Sequence, residues 1–458
     1  MSCRTPRFLF PAAWLIALVL SACGGGGGSS SSSATPAPAA SPILLSLPAH
    51  GLSAAQLGLV VIDGDAVSEA AAAYYQQARG VPAANIVKVS LPAGTGAALG
   101  AADFARIKAS VDAAMPAAVQ ALLLVWRQPS RVAGGSCSMS ITSAMALGFD
   151  ARYCGGCVAT AASPYYDSES LQPFTDLKMR PAMMLGTDTL AAAKALIDLG
   201  LQADASQPDG TGWLIRTSDA DRSVRYLDFL GLPASWSGWL TLNYTDNSGG
   251  TPQNDALTGK AGVLFYFTGL AVEPGLATNS YRAGAVGDSL SSSGGALDSA
   301  DGQTRATDWL AAGLTASFGT VEEPCNYTEK FPRASVMIDH YWRGDSLIEA
   351  YWKSVQWPGE GLFVGEPLAR PWHDQPSFSI VNGQYQISTR GLRPGAQYWL
   401  QYRKSGQTDW TLIQLFTPAR GGVQNLSASL APTDATQLRW LGPCPGDLGS
   451  ECVLAQSP

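Results

Sequence analysis

Continuous apolar runs alternate with amphipathic, helix-like stretches along most of the chain. A strand that is apolar at every position is covered on both faces, which favours a parallel sheet between two layers of helices. The predicted strands cover Leu57–Ile62, 85–90, 121–126, 181–185, 213–216, 263–267, 314–319 and 362–364. The predicted helices cover 68–79, 102–115, 188–199, 221–230, 305–312, 335–341 and 346–353.

These elements predict a doubly wound, mostly parallel α/β domain over 49–371. Its first helix carries end signals, with Ser68 as the candidate N-cap and Gly80 just beyond the last turn. Residues 128–178 are rich in Gly, Ser and Cys, and we expect them to form an insertion over one end of the sheet. Binding sites in such folds form at the carboxyl ends of the strands.

A small antiparallel β domain is predicted over 372–458, because polar and apolar residues alternate there in short segments. The alternating segments are 385–388, 397–403 and 410–416, with turns at Asn382-Gly383 and Pro394-Gly395. The segment Leu392-x-Pro394-Gly395-x-x-Tyr398 resembles the turn before a late strand in fibronectin-type sandwiches. We therefore expect a fibronectin-like fragment.

The N-terminus has the pattern of an export signal. Arg4 and Arg7 precede an apolar run over 8–20, which is too short for a transmembrane helix of about 20 residues. The run ends in Leu20-Ser21-Ala22-Cys23, which resembles the lipobox of bacterial lipoproteins. The resemblance implies a signal peptide over 1–22 and a lipid on Cys23, and Gly24 favours the outer membrane. Residues 23–48 are predicted to be a tether rich in Gly, Ser, Ala and Pro.

The net charge of −7 gives no basic surface for nucleic acid. No nucleic-acid partner is therefore expected. The expected partners are the membrane, through the lipid on Cys23, and an envelope protein or small-molecule ligand. Tryptophans at 236, 239, 399 and 410 stand in segments that could be partly exposed. Aromatic platforms can bind sugars, but packed tryptophan is commoner, so the sequence predicts no carbohydrate partner.

Six cysteines follow Cys23, and an even number in an oxidising compartment predicts disulfides. They stand at Cys137, Cys154, Cys157, Cys325, Cys444 and Cys452. Cys444 and Cys452 flank a short Pro/Gly loop and form a natural pair. A zinc site built from the other four is the alternative. Haem attachment at Cys154-Gly-Gly-Cys157 is excluded, because Val158 stands where histidine is required.

Four segments resemble a family of uncharacterised exported bacterial proteins, over roughly 57–371. The segments are Arg79-Gly80-Val81-Pro82-Ala83-Ala84-Asn85-Ile86, Ala283-Gly284-Ala285-Val286-Gly287-Asp288-Ser289-Leu290, 313–324 (GLTASFGTVEEP) and Gly365-Glu366-Pro367-Leu368-Ala369-Arg370-Pro371. The resemblance implies no particular activity.

The second half is also distantly similar to gingipain-type, caspase-like cysteine peptidases. In those enzymes one strand ends in a catalytic His and the next in a catalytic Cys. Here the strand over 263–267 ends in Thr268-Gly269, and the next candidate strand ends in 291–295 (SSSGG). A thiolate nucleophile needs a base beside it, and neither partner stands in place. The resemblance therefore implies the scaffold without the dyad.

The segment Val60-Val61-Ile62-Asp63-Gly64-Asp65 resembles the first motif of haloacid-dehalogenase-like phosphatases. The resemblance implies Asp63 as nucleophile, Asp65 as general acid and a magnesium ion nearby. A threonine after 213–216, Lys260 and Asp288 would supply the remaining motifs. The alternative is a polar turn that leads into the first helix, and we favour it because short motifs arise by chance.

The carboxyl ends of the predicted strands supply the remaining site candidates. The expected cleft is lined by Asp63, Thr268, Asp288, Ser292, Glu322 and Glu323. A dyad of Cys325 and His340 is a weaker alternative, because His340 stands in a predicted helix where packing histidines are common. The expected function is non-catalytic binding or surface organisation, and the alternative is hydrolysis by a magnesium-dependent phosphatase-like enzyme or a divergent peptidase. Outside the phosphatase alternative no cofactor is expected.

Overall fold

A computed structural model describes residues 42–458. The signal peptide, Cys23 and most of the tether lie outside the described residues. The strands are β1 Leu57–Ile62, β2 Ile86–Val89, β3 Ala98–Gly100, β4 Ala121–Leu124, β5 Arg131–Gly134, β6 Cys137–Ser140, β7 Ala182–Met184, β8 Thr211–Arg216, β9 Thr241–Asp246, β10 Val263–Thr268, β11 Tyr281–Ser289, β12 Ala316–Thr320, β13 Gly361–Gly365, β14 Ser377–Val381, β15 Gln384–Thr389, β16 Tyr398–Lys404, β17 Thr411–Phe416, β18 Gln424–Ser429, β19 Ala435–Cys444 and β20 Asp447–Gln456. The helices are α1 Ala66–Arg79, α2 Ala101–Ala114, α3 Ile141–Leu147, α4 Pro173–Leu177, α5 Leu190–Ala203, α6 Tyr226–Phe229, α7 Leu232–Ser235, α8 Ala306–Ala312, α9 Ala334–Trp342 and α10 Leu347–Ser354.

The predicted α/β sheet is confirmed as a large, mostly parallel central sheet. Within residues 42–458 it has 10 strands in the order β2-β1-β4-β7-β13-β12-β11-β10-β8-β9. The neighbours run parallel except β12 and β13, which pair antiparallel with Phe318 opposite Phe363. The sheet therefore consists of a first half-sheet (β2, β1, β4, β7, β13) and a second half-sheet (β9, β8, β10, β11, β12) that run in opposite directions.

Both faces of this sheet are buried, as the continuous apolar strands predicted. All positions of β10, Val263–Thr268, are buried. The core on one face includes residues of α1, α5, α9 and α10, and the core on the other includes residues of α2 and α3. Each large apolar side chain that leaves water contributes about 1.5–3 kcal/mol, so the two cores supply most of the stability.

The structure corrects the predicted start of the first helix. Asp65, not Ser68, is the N-cap, and its Oδ1 accepts a hydrogen bond from the Ser68 N–H at 2.7 Å. The Ser68 hydroxyl instead donates to the Val125 carbonyl at 2.5 Å, which ties α1 to the segment after β4. Gly80 ends the helix with φ +73°, as predicted.

Part of the segment 128–178 is buried in the core on one face of the central sheet. Its helix α3 contacts β7 and β13, and six of its seven residues, Ile141 to Ala146, are buried. The strands β3, β5 and β6 form a small separate sheet in that order. The sequence did not predict α3, because Thr142 and Ser143 interrupt its apolar pattern. In the fold the hydroxyls of both residues donate to the Gly361 carbonyl.

The C-terminal part forms two antiparallel sheets, with the orders β14-β15-β18 and β17-β16-β19-β20. Their apolar side chains share one core, which includes Ile387, Leu400 and Trp440. Leu45 is buried in the same core, and Ile43 packs against it. The end of the predicted tether therefore contacts the β part, because the apolar sequence after Pro42 can be buried while the Gly/Ser run cannot.

No helix among the described residues is long and apolar enough to cross a bilayer. Residues Ile43–Pro458 form one compact unit. An ion-pair network joins the α/β and β parts within it, since Arg393 of the β part pairs with Asp167 at 2.7 Å and Glu169 at 2.6 Å.

Candidate functional site

The antiparallel junction separates the predicted site residues. Parallel strands present their carboxyl ends at one edge of a sheet, and the two half-sheets run in opposite directions. Asp63 and Asp65 follow β1 in the first half-sheet, whereas Thr268, Asp288, Ser292, Glu322 and Glu323 end or follow strands of the second. The structure therefore separates Asp63 from the other five, and of these only Ser292 and Glu323 line a common cleft.

The geometry around Asp63 and Asp65 matches a polar turn. Asp65 caps α1, and the Asp63 side chain is 55% exposed and lies 3.5 Å from the Lys88 ammonium. Lys260, expected as the phosphatase lysine, precedes β10, and its ammonium lies 5.0 Å from the centroid of the Trp213 ring. Asp288 lies at the opposite end of the second half-sheet from Lys260. These groups do not converge on one magnesium site.

A buried ion pair occupies the carboxyl ends of β10 and β11. Arg225, the residue before α6, donates from Nη1 to Asp288 Oδ1 at 2.6 Å and from Nη2 to the Thr268 carbonyl at 2.6 Å. The side chains of Arg225 and Asp288 are 3% and 0% exposed. Burial raises the pKa of Asp288 to about 6, and the neighbouring Arg225 opposes this rise.

Two polar atoms at these strand ends lack partners. Among the described residues, Thr268 Oγ1 and Asp288 Oδ2 are buried and make no hydrogen bond. Buried polar atoms are satisfied in most folded proteins, and a bound water or a functional role are two explanations for an unsatisfied one. The sequence predicted both residues as site candidates, but nothing in it indicated Arg225.

Next to this ion pair lies a polar cleft of about 290 Å³, which we name the Ser292 cleft. Its lining residues are Asp221, Arg222, Leu290, Ser291, Ser292, Glu323, Cys325 and Asn326. Gln303 fixes the backbone at its floor, since Oε1 accepts from the Ser292 N–H at 2.9 Å. The Thr320 hydroxyl donates to the carbonyls of Ser291 and Ser292 at 3.0 and 3.1 Å. The cleft is therefore a rigid, hydroxyl-bearing surface.

The adjacent Glu322 and Glu323 have different surroundings. Glu323 is exposed at the rim of the cleft, and its Oε1 accepts from the Cys325 N–H at 2.7 Å. Glu322 is half-buried, and burial raises its pKa while Lys330 and Arg131 lower it. The two do not act as a paired acid and base, because only Glu323 lines the cleft.

None of the histidines in the described residues lines the Ser292 cleft. His340 is fully buried, with Nδ1 at 2.9 Å from Asp345 and Nε2 at 3.1 Å from Asp167. His50 contacts the same Asp345 through Nδ1 at 2.7 Å. Burial lowers the pKa of His373, which is half-buried beyond β13. Serine activation requires a base within hydrogen-bond reach, and the cleft offers Ser292 no histidine.

The cysteines form disulfides, as predicted. The pairs are Cys137–Cys154, Cys157–Cys325 and Cys444–Cys452. The two sulfurs of the C-x-x-C segment thus bond to different partners, and in this state neither a four-cysteine zinc site nor a Cys325–His340 dyad is available. Cys157, Glu323 and Cys325 lie close enough to share an ion, but both sulfurs belong to one disulfide.

Two of the segments that carry the family resemblance, 79–86 and 365–371, contact each other in the fold. Arg79, the last residue of α1, donates to Glu366 beyond β13, from Nε at 3.1 Å and from Nη2 at 2.5 Å. The Tyr75 hydroxyl donates to the same carboxylate at 2.5 Å. Since the Glu366 side chain is 0% exposed, this network fastens α1 to the end of the first half-sheet.

Fold and site together define a mixed α/β protein in which a buried ion pair joins two strand ends beside a polar cleft. No protein-family model matches the chain, and no curated protein matches it. Among solved structures, the chain is similar to one called "Structure of Protease". The two share 11% sequence identity, with 88% of this chain and 97% of that chain covered, at a TM-score of 0.39. The likeness is too low to support a statement about activity.

Proposed function

We propose that this protein binds a ligand in the Ser292 cleft without catalysis, as an exported lipoprotein attached through Cys23 to the cell envelope. The Gly/Ser tether and the lipobox-like segment support the lipid anchor. The disulfides support an oxidising compartment. The proposed location is the outer membrane, and the proposed fold of the α/β domain is caspase/gingipain-like.

The main support for binding without catalysis is the Arg225–Asp288 ion pair. In the peptidases that the second half resembles, two neighbouring strands end in the catalytic His and Cys. β10 and β11 are neighbouring parallel strands, and the guanidinium of Arg225 bridges their ends. A guanidinium is always protonated in proteins, so it cannot accept a proton as a general base.

The cleft beside the ion pair offers groups for recognition. Ser291, Ser292 and Asn326 supply hydroxyl and amide groups, and Arg222 and Glu323 supply one charge of each sign. Such a surface fits an envelope protein segment or a small polar ligand. The β part, which the ion pairs of Arg393 hold against the α/β part, would serve as a spacer or docking module.

A turnover measurement tests this proposal. The purified protein is incubated with a mixed peptide library and with phosphate esters, with and without magnesium, and the products are identified by mass spectrometry. We expect no turnover by the wild type. Ser292→Ala and Asp63→Asn are the matched variants, one for each hydrolase alternative.

Peptide hydrolysis that Ser292→Ala abolishes would overturn the binding role and identify a divergent peptidase. Magnesium-dependent release of phosphate that Asp63→Asn abolishes would identify the phosphatase-like enzyme instead. A folded sample that turns over neither substrate class agrees with the proposal, and circular dichroism verifies the fold of each variant.

A further inference from the structure

A second concave site lies at the amino ends of β8 and β9, at the edge of the second half-sheet opposite the Ser292 cleft. It has a volume of about 450 Å³ and is formed mainly by residues 207–210 and 238–241, with Trp342 and Trp372 behind them. We propose that this site, the Trp239 pocket, binds a neutral saccharide. The inference does not depend on the proposed function of the Ser292 cleft.

The position of Trp239 is set by the end of α7. Its backbone N–H donates to the Trp236 carbonyl at 2.9 Å, and Gly238, with φ +84°, turns the chain just before it. The Trp239 side chain remains 46% exposed, although tryptophan is among the side chains that gain most from burial. The pocket therefore presents an indole surface that a ligand can cover.

Buried tryptophans support this indole from behind. Trp239 meets Trp342 edge to face, with ring centroids 6.5 Å apart and an interplanar angle of 61°. Trp236 and Trp372 pack on Trp342 at 5.7 and 5.2 Å. Trp236 is 0% exposed and Trp372 is 2% exposed. This cluster holds Trp239 as a rigid platform, so little side-chain entropy is lost on binding.

The other walls of the pocket are polar and tied in place. Gln207 and Asp209 are exposed there, together with the Thr241 hydroxyl. The Gln207 N–H donates to the Pro371 carbonyl at 3.0 Å, and Arg282 Nε donates to the Asp209 carbonyl at 2.7 Å. A carboxamide and a hydroxyl both donate and accept hydrogen bonds, and a carboxylate accepts them.

This combination matches the chemistry of a sugar ring. A pyranose has an apolar C–H face that can lie on an indole and a rim of hydroxyls that donate and accept hydrogen bonds. The volume falls within the range of about 300–1,000 Å³ that is usual for small-molecule sites. The Asp209 carboxylate disfavours an acidic sugar, which is why the proposal specifies a neutral one.

The test measures binding by isothermal titration calorimetry with three probes up to millimolar concentration. The probes are maltohexaose, hexa-N-acetylchitohexaose and the acidic oligomer hexagalacturonate. The first two separate a glucose polymer from the N-acetylhexosamine of an envelope glycan. We expect saturable binding of at least one neutral probe and about tenfold weaker binding by Trp239→Ala.

Trp410→Ala is the matched control, since Trp410 is half-buried in the β part, where the Arg403 guanidinium lies 4.8 Å from its ring centroid. Its affinity for the neutral probe should equal that of the wild type. Three results would overturn the proposal: no saturable binding of either neutral probe to the folded wild type, binding that Trp239→Ala leaves unchanged, or binding of the acidic probe alone. Thermal unfolding of each variant verifies that it is folded.

Discussion

Removal of the positive partner from the buried Arg225–Asp288 ion pair should destabilise the protein in a pH-dependent way. Arg225→Met leaves the Asp288 carboxylate, which is 0% exposed, without its partner at 2.6 Å. Breaking a buried ion pair at one side costs about 3–5 kcal/mol. We expect the free energy of unfolding, measured by urea denaturation, to fall by about this amount in mildly alkaline buffer.

The pH dependence follows from the raised pKa of Asp288. Burial raises this pKa from 3.8 to about 6, so between these values the folded protein binds more protons than the unfolded one. The contribution of this carboxyl to stability is therefore complete below the lower value and is lost as the pH rises through about 6. The rise in the pKa of Asp288 corresponds to a change of about 3 kcal/mol in the free energy of unfolding across this pH range. Arg225→Met removes the group that lowers this pKa, so its deficit should shrink in acid, where Asp288 is protonated.

Asp288→Leu supplies the contrast, because it removes the carboxyl that titrates. The wild type loses about 3 kcal/mol as Asp288 ionises and this variant does not, so its deficit should shrink as the pH rises, opposite to that of Arg225→Met. The double variant Arg225→Met with Asp288→Leu leaves no buried charge at the pair and should lie within about 1 kcal/mol of the wild type in mildly alkaline buffer. The reasoning is refuted if the deficit of Arg225→Met is the same in acid and alkaline buffer. It is also refuted if the double variant is as unstable as the sum of the two single variants.

Two further predictions concern the covalent and ionic links of the fold. Replacing both cysteines of Cys157–Cys325, which are 168 residues apart, should lower the free energy of unfolding by about 5 kcal/mol. Opening Cys444–Cys452, whose cysteines are 8 apart, should cost about half as much, and equal losses in thermal unfolding would contradict the loop-entropy argument. Glu366→Gln should cost about 1.5–3 kcal/mol in urea denaturation, because this buried carboxylate accepts hydrogen bonds from a tyrosine and an arginine of α1, while the arginine keeps Asp204 as an ion-pair partner. A loss below about 0.5 kcal/mol would contradict a stabilising role of the Glu366 charge.

The sequence predicted the α/β class because buried strands and helix ends have local signals. The strand Leu57–Ile62 and the end of α1 at Gly80 agree with the structure. The strand Thr241–Asp246 had no such signal, because it lies at the edge of the sheet and exposes polar side chains. In the β part, strands β14 and β18 were missed for the same reason, since most of their positions are not buried.

The sequence predicted several of the site residues, but not where the fold places them relative to one another. A strand that is apolar throughout looks the same in either direction, so nothing local indicated that β12 and β13 run antiparallel. That one reversal places Asp63 at the opposite edge from Thr268 and Asp288. Arg225 was concealed as well, because an arginine in a predicted helix is usually solvated and only the tertiary fold brings it to Asp288.

The central claim is that the Ser292 cleft binds without covalent chemistry, and labelling with a fluorophosphonate probe tests it most directly. Such a probe reacts only with a serine whose hydroxyl is activated by a base. The account predicts no probe adduct on Ser292 when the labelled protein is digested and its peptides are sequenced by mass spectrometry. A stoichiometric adduct on Ser292 that Ser292→Ala removes would contradict the account and show that the cleft is an active site.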